Sequence, residues 1–277
     1  MRIAVLTSGE TRHRYFANAV RARFPVVAVG YEQVAYRQAE IEAPHLSPAE
    51  IRIVREHFAE RSRQEEIFFG RGAGFIGLDA KDADVDCPQC AARSITPGRL
   101  NSPATIDFLE SHDVDTVVVF GTNLIKPPLL GRFRGRMINL HLGLSPYYRG
   151  TATNFYPLLN LEPQYVGATI HLIDAGIDSG PILRHARPVL SANDPPHVIG
   201  CKAIQAGIDA ILDVLRRLDR ADRLDGVPQW HVPNARLYMR KDYDQRQVVE
   251  LYRKIDDGLL RHAIERALQS EPPKLIE

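Results

Sequence analysis

The run "RIAVLTSGETRHRYFANAVRARFPVVAVG", residues 2–30, sets the fold. It opens on a short apolar strand, Ile3 to Leu6, that stops at Ser8 and Gly9. A segment with Tyr15, Phe16, Ala19, Val20 and Phe24 at helical spacing follows, and then a second apolar run, "PVVAVG". Strand, helix and strand within thirty residues predict an α/β fold with a parallel sheet. The glycine fingerprint GxGxxG is missing after the first strand, so a dinucleotide cofactor is not indicated.

The same rhythm continues outward. Ser47-Pro48-Ala49-Glu50 is a helix start with a capping serine, a proline in the first turn and a glutamate three residues on. Residues 69–98 read as an irregular excursion. Ser102-Pro103 marks another helix, Thr116 to Phe120 a β-branched strand, and Met137 to His141 and Ala168 to Ile173 two more. Asp194-Pro195 is expected to cap a long amphipathic helix through Ile204, Ile208, Ile211, Leu215 and Leu218. The charged run after it suggests a boundary near residue 221, dividing the chain into 1–221 and a mainly helical extension, 222–277.

Composition excludes several classes. Of 277 residues 44% are hydrophobic and 25% charged, with 35 Lys and Arg against 34 Asp and Glu, the profile of an ordinary soluble domain. That balance leaves no basic footprint for nucleic acid or an anionic membrane. The apolar run near Met1 is too short for a signal peptide, and no segment approaches the ~18 residues of a membrane span. Three cysteines, Cys87, Cys90 and Cys201, do not make a disulfide scaffold, and a reducing cytoplasm is the simplest location. Cys87 and Cys90 form one CxxC pair without the second that a zinc site needs. Asp82, Asp84 and Asp86 read as a solvated loop, so no metal is expected.

Chemistry concentrates downstream. In "NLHLGLSPYYRG", residues 139–150, Asn139 and His141 stand two apart at a strand end, so alternation puts both side chains on one face. In "GATIHLIDAGIDSGPIL", residues 167–183, Asp174 and Asp178 follow another strand in a glycine-rich loop. Ligands of such sheets bind beyond the carboxyl ends of the strands. An amide, an imidazole and a carboxylate meeting there suit oxyanion stabilisation during acyl transfer to an amine, because no serine or cysteine nucleophile stands out. Asp174 reads better as a turn-shaping residue, and His171, inside an apolar strand, as a hydrogen-bonded core histidine.

These two segments together resemble the formyltransferase family that uses 10-formyltetrahydrofolate, which includes glycinamide ribonucleotide transformylase, methionyl-tRNA formyltransferase and the sugar N-formyltransferases. The resemblance rests on Asn139, His141, Pro146, Gly150, Gly167, Thr169, His171, Asp178, Gly180 and Pro181 and covers residues 95–190. It implies a Rossmann-like, mostly parallel α/β fold with a short helical C-terminal segment, and an N-formyltransferase with 10-formyltetrahydrofolate as co-substrate. Asn139 would hydrogen-bond the formyl oxygen, His141 would stabilise the oxyanion, and Asp178 would hold the histidine and help move the amine proton. The pterin would lie along Gly121, Thr122, Asn123, Leu124 and Ile125 and along Asp174, Ala175 and Gly176.

Tyr147, Tyr148, Arg149 and Thr151 are the candidate acceptor-binding residues. Phe155 and Tyr156 flank them, and a stacking wall and simple packing both remain open. Many members carry serine where this chain has Gly143, with Ser145 displaced. The stretch after Ala221 reads as helical rather than as the β-barrel of the tRNA enzymes, so a small-molecule amine, such as an amino sugar nucleotide, is the expected acceptor, without nucleic acid or membrane. A homodimer is left open. Competing readings are a hydrolase releasing formate from the same folate, a metal-dependent glycosyltransferase using Asp82 to Asp86, and a folate-binding protein without activity.

Overall fold

A computed structural model describes residues 1–33, 45–70, 90–221 and 225–277. The central sheet takes β1 (Ile3–Ser8), β2 (Val26–Glu32), β3 (Ala91–Ile95), β4 (Thr116–Val119), β5 (Met137–Leu142), β7 (Ala168–Leu172) and β8 (Ile182–Ala186), in the order β3-β2-β1-β4-β5-β7-β8. The first five pair in parallel and β7 and β8 antiparallel, so the sheet is mostly parallel, as the first thirty residues predict.

Parallel strands are buried on both faces, and β1 shows how the chain meets that demand. Ile3 and Val5 point into one core with α1 (Thr11–Arg21) and α6 (Pro196–Arg220). Ala4 and Leu6 point into a second core with α3 (Pro103–Glu110) and α4 (Pro127–Arg132). In β5 the alternation has a functional consequence. Ile138 and Leu140 fill the first core, which turns Asn139 and His141 to the other face at the sheet's carboxyl end.

The helix α2 (Pro48–Phe69) starts on the expected capping box, with Glu50 N–H donating to Ser47 Oγ at 3.3 Å and Ser47 N–H to Glu50 Oε2 at 2.9 Å. At α6 the expectation fails in detail. Pro195 is the capping residue, and Asp194 instead accepts from Ser191 N–H at 2.8 Å and Lys202 Nζ at 2.6 Å. The stretch 69–98, expected to be irregular, ends α2 at Phe69 and contributes β3. The middle of that edge strand is exposed, so it lacks the apolar alternation that marks a strand in sequence. Cys87, Asp82, Asp84 and Asp86 lie outside the described residues.

The extension is less uniformly helical than expected. Its helices α7 (Gln245–Asp256) and α8 (Leu259–Gln269) are preceded by β9 (Arg236–Tyr238), which pairs in parallel with β6 (Tyr148–Gly150). A third core joins Leu144, Tyr148 and Tyr156, the last in the short helix α5 (Tyr156–Leu159), to Leu251, Leu260 and Ile264. No helix among the described residues is long and apolar enough to cross a membrane.

Candidate active site

Asn139, His141 and Asp178 converge. Asp178 Oδ2 lies 3.3 Å from His141 Nδ1, and Asn139 Nδ2 reaches Asp178 Oδ1 at 3.4 Å. Asp178 itself is held in the left-handed region, φ 47°, within the loop between β7 and β8. Gly150 N–H donates to its Oδ2 at 3.0 Å. Gln229, from the extension, donates to the carbonyls of Asp178 and Gly180 at 2.7 and 3.0 Å and fixes the loop from behind.

His141 is 6% exposed, and both ring nitrogens face acceptors. Nε2 lies 3.2 Å from the Tyr148 carbonyl, and Nδ1 faces Asp178. Only the imidazolium can donate to both at once. Burial works the other way and lowers the His141 pKa, against the pull of Asp178 and the Tyr148 carbonyl. For Asp178, burial alone would raise the pKa. His141, the hydrogen bond and charge of His171, and Gly150 N–H overcome it and hold the carboxyl well below the usual carboxylate range. Asp178 is therefore ionised, and the ring beside it is drawn toward its charged form by Asp178 and the Tyr148 carbonyl and away from it by burial.

His171 does more than fill the core. Its Nδ1 lies 2.9 Å from the Leu172 carbonyl, which can only accept, so Nδ1 carries the hydrogen. Nε2 lies 3.1 Å from Asn139 Nδ2, accepting from it when the ring is neutral, and 3.6 Å from Asp178 Oδ1, donating to it when the ring is charged. Asn139 thus directs its amide hydrogens at His171 and Asp178, and among the described residues nothing donates to its Oδ1. The expected donation to a formyl oxygen requires Asn139 to release the longer contact, the one to Asp178.

Gly143 explains the departure from the family's serine. Its φ is +145°, and a Cβ there would lie 2.7 Å from His141 Nε2 and from Thr153 Cβ. Ser145 offers no replacement, because its hydroxyl is buried without a hydrogen-bond partner. Its backbone N–H donates to Thr169 Oγ1 at 2.9 Å, and that hydroxyl donates to the Gly143 carbonyl at 2.6 Å, which pins the loop under His141.

The loop Gly121 to Ile125 follows β4, in the neighbouring strand position to the triad. Asn123 donates through N–H and Nδ2 to the two Glu32 carboxylate oxygens at 2.8 and 2.9 Å. Glu32, 1% exposed at the end of β2, is a residue that sequence reasoning missed. Thr122 Oγ1 turns back to the Asn123 carbonyl, Leu124 is 55% exposed, and Ile125 packs partly into the second core. In the other expected folate loop, Asp174 Oδ1 accepts from Gly176 N–H at 3.0 Å and Ser179 Oγ at 2.8 Å, as a turn-shaping aspartate does, with Ala175 exposed between them.

The four acceptor candidates divide. The rings of Tyr147 and Tyr148 pack in the third core, their hydroxyls on the Lys274 carbonyl and on Glu162, so it is the Tyr148 backbone that meets His141. Thr151 is exposed, with its N–H on the Tyr238 carbonyl at 2.8 Å. Arg149 is half-buried, its charge reaches His141, and its buried Nε has no hydrogen-bond partner. Phe155 and Tyr156 pack with Tyr243 and Tyr238 respectively. Of the remaining cysteines, Cys90 is half-buried; Cys201 is buried, and burial and then Glu65 push its pKa up to about 12. Among the described residues no three His, Cys, Asp or Glu side chains are grouped to hold a metal.

The formyl transferase family model matches residues 71–215, more than half of the chain, and spans all three converging residues. The chain belongs to the formyl transferase family. Members of this family are folate-dependent enzymes that transfer formyl groups, which sets aside the glycosyltransferase reading. In sequence the chain is similar to the methionyl-tRNA formyltransferase of Microcystis aeruginosa, 34% identical over 179 residues, covering 63% of this chain and 53% of that protein. A similar protein from Burkholderia thailandensis is 33% identical over 128 residues, 46% of this chain and 38% of that one. The chain thus spans about half or less of the curated relatives it matches.

In fold it is similar to a phosphoribosylglycinamide formyltransferase from Anaplasma phagocytophilum, TM-score 0.55 at 17% identity over 87% of this chain and 98% of that one. A sugar N-formyltransferase from Shewanella gives 0.53 at 19% identity, covering 91% and 87%.

Proposed function

We propose that this chain moves the formyl group of 10-formyltetrahydrofolate onto a primary amine of a small molecule, with an amino sugar nucleotide or a specialised metabolite as the acceptor. The convergence of Asn139 and His141 on Asp178 carries the reading. The neutral amine attacks the formyl carbon, and the carbonyl electron pair moves onto oxygen, where His141 and Asn139 stabilise it. The bond from carbon to N10 then breaks. One proton leaves the attacking nitrogen and one reaches N10, so the products are a formamide and tetrahydrofolate. Asp178, ionised at rest, is the group able to receive the first of these protons through its neighbour His141.

For the folate, the apolar Leu124 beside a loop fixed by Glu32 and Asn101 offers a flat ring a surface and backbone groups. Residues Gly121 to Ile125 and Asp174 to Gly176 are its proposed contacts. Arg149, half-buried with an unpartnered Nε, supports an acceptor that bears a phosphate or carboxylate. The working division is a transferase unit over residues 1–221 braced by 222–277. Resemblance to proteins named methionyl-tRNA formyltransferase favours a second acceptor, an aminoacyl-tRNA, over the same chemistry.

Calorimetric titration with a non-hydrolysable 10-formyltetrahydrofolate analogue tests the donor. One site per chain supports it, and no heat at millimolar analogue refutes it. With donor binding established, formate release without an added amine identifies the hydrolase alternative, and formylated product on an amino sugar nucleotide or on methionyl-tRNA separates the two acceptors.

A further inference from the structure

Strand β6 supplies two backbone groups to the site: the Tyr148 carbonyl, 3.2 Å from His141 Nε2, and Gly150 N–H, 3.0 Å from Asp178 Oδ2. Its position therefore decides whether His141 sits between two acceptors or one. The strand is only three residues long and makes its named pairing with β9. A three-residue ladder fixes a backbone weakly, so something further has to hold Tyr148 in place.

That hold is built on the far end of the Tyr148 ring. Its hydroxyl donates to Glu162 Oε2, and Asn160 Nδ2 donates to the same hydroxyl at 3.0 Å. Burial, then Glu162, raise the phenol's pKa, so it stays a donor. Arg236, the β9 residue directly opposite Tyr148, grips both Glu162 oxygens from Nε and Nη2 at 3.2 Å each, while its N–H donates to the Tyr147 carbonyl at 2.8 Å. The fork geometry of Arg on a carboxylate is directional and charge-assisted, the strong kind of hydrogen bond. At the other end of the ladder, a Cβ on Gly150 would lie 2.0 Å from the Tyr238 carbonyl, so the two strands meet as closely as their backbones allow.

We infer that Glu162, clamped by Arg236, is a positioning residue for formyl transfer, which acts through the Tyr148 ring and carbonyl to keep the proton of His141 in place without touching substrate. This rests on the proposed formyl transfer for its kinetic arm alone. The groups that face His141 are Asp178 from the β7–β8 loop, His171 from β7, Arg149 and the Tyr148 carbonyl from β6, and the Thr153 hydroxyl, 3.5 Å from Nε2. Glu162 acts on β6, whose Tyr148 carbonyl is the hydrogen-bond acceptor that it positions. Loosening it removes an acceptor that favours the charged ring, so the His141 pKa falls further.

The test is a histidine-ring NMR titration of the unliganded full chain, wild type against Tyr148→Phe, which removes a single oxygen, and Glu162→Ala. Both variants should lower the His141 pKa by about one unit, the size of one weakened hydrogen bond to a charged form. Both should cut kcat about tenfold with KM for the folate within about twofold, and the double variant should be no worse than either single one, as coupled residues behave. If Tyr148→Phe lowers the melting temperature but leaves the His141 titration and kcat at wild-type values, the clamp is structural and the inference is overturned. Should Glu162→Ala not fold, Tyr148→Phe alone decides. Failure of the formyl-transfer reading shows separately, as wild-type protein that titrates normally and binds no folate.

Discussion

Asp178 Oδ2 stands 3.3 Å from His141 Nδ1, and the Asp178 carboxyl is held ionised against its burial by that histidine first, then by His171 and the Gly150 N–H. Removing the charge removes the group that lets the imidazole take a proton. Asp178→Asn is expected to lower the single-turnover rate about a hundredfold or more, with folate-analogue affinity by calorimetry little changed. Equal losses in rate and affinity would assign Asp178 to binding instead.

The same pair gives an acid dependence of stability. The folded pKa of Asp178 lies below its unfolded value near 3.9, so ionised Asp178 stabilises the fold above about pH 4. That contribution fades as the pH falls toward the folded pKa. Urea midpoints of wild type should therefore drop more steeply from pH 4 to pH 2.5 than those of Asp178→Asn; parallel curves would refute the assignment.

A second acid sensitivity sits away from the site. His57 in α2 and His197 in α6 pack ring to ring at 4.4 Å, and His57 Nδ1 and His197 Nε2 are buried without partners. Burial lowers the His57 pKa to about 3, with His197 and Arg61 adding to it, and lowers that of His197 to about 4, with Arg61 adding and Glu60 opposing. Below about pH 6.5 the unfolded chain binds protons that the folded one refuses, so stability declines from there down to about pH 3. Melting temperatures between pH 7 and pH 4 should fall less in His57→Leu than in wild type.

Asn139→Ala should cost 10²–10³-fold in kcat, roughly the loss from removing one oxyanion donor. The free Oδ1 adds a discriminating variant. Asn139→Asp keeps an acceptor and loses the donors, and if it retains wild-type turnover, amine orientation rather than oxyanion stabilisation is the role.

Glu32→Ala removes both acceptors of Asn123 and frees the loop from Gly121 to Ile125. Affinity for the folate analogue should weaken about tenfold, two lost hydrogen bonds of about 1 kcal/mol each being partly replaced by water. Calorimetry reads this directly, and unchanged affinity would place the folate elsewhere.

The fold was legible where burial is two-sided and periodic. Ile3 to Leu6 and Thr116 to Val119 announce themselves because every side chain is buried and all but Thr116 are apolar. That Asn139 and His141 share a face was legible because strand alternation fixes one against the other whatever surrounds them. β3 was hidden by its exposed middle residues, and Glu32 by its separation of 91 positions from Asn123. Gln229 lies 51 positions from Asp178 and carries no local pattern that points there. For Tyr147 and Tyr148 the sequence left a stacking wall and simple packing both open. Two aromatics after a proline look like a pocket wall, but the core formed with residues 225–277 takes the rings.

The pairing of β6 with β9 also orders events in time. A nascent chain stopped at residue 221 already carries Asn139, His141 and Asp178, yet it has neither the Gln229 amide behind Asp178 nor Arg236 beside Tyr148. All three side chains leave the ribosome before the segment that sets their geometry, so the candidate site is assembled late in synthesis, only after Tyr238 has emerged.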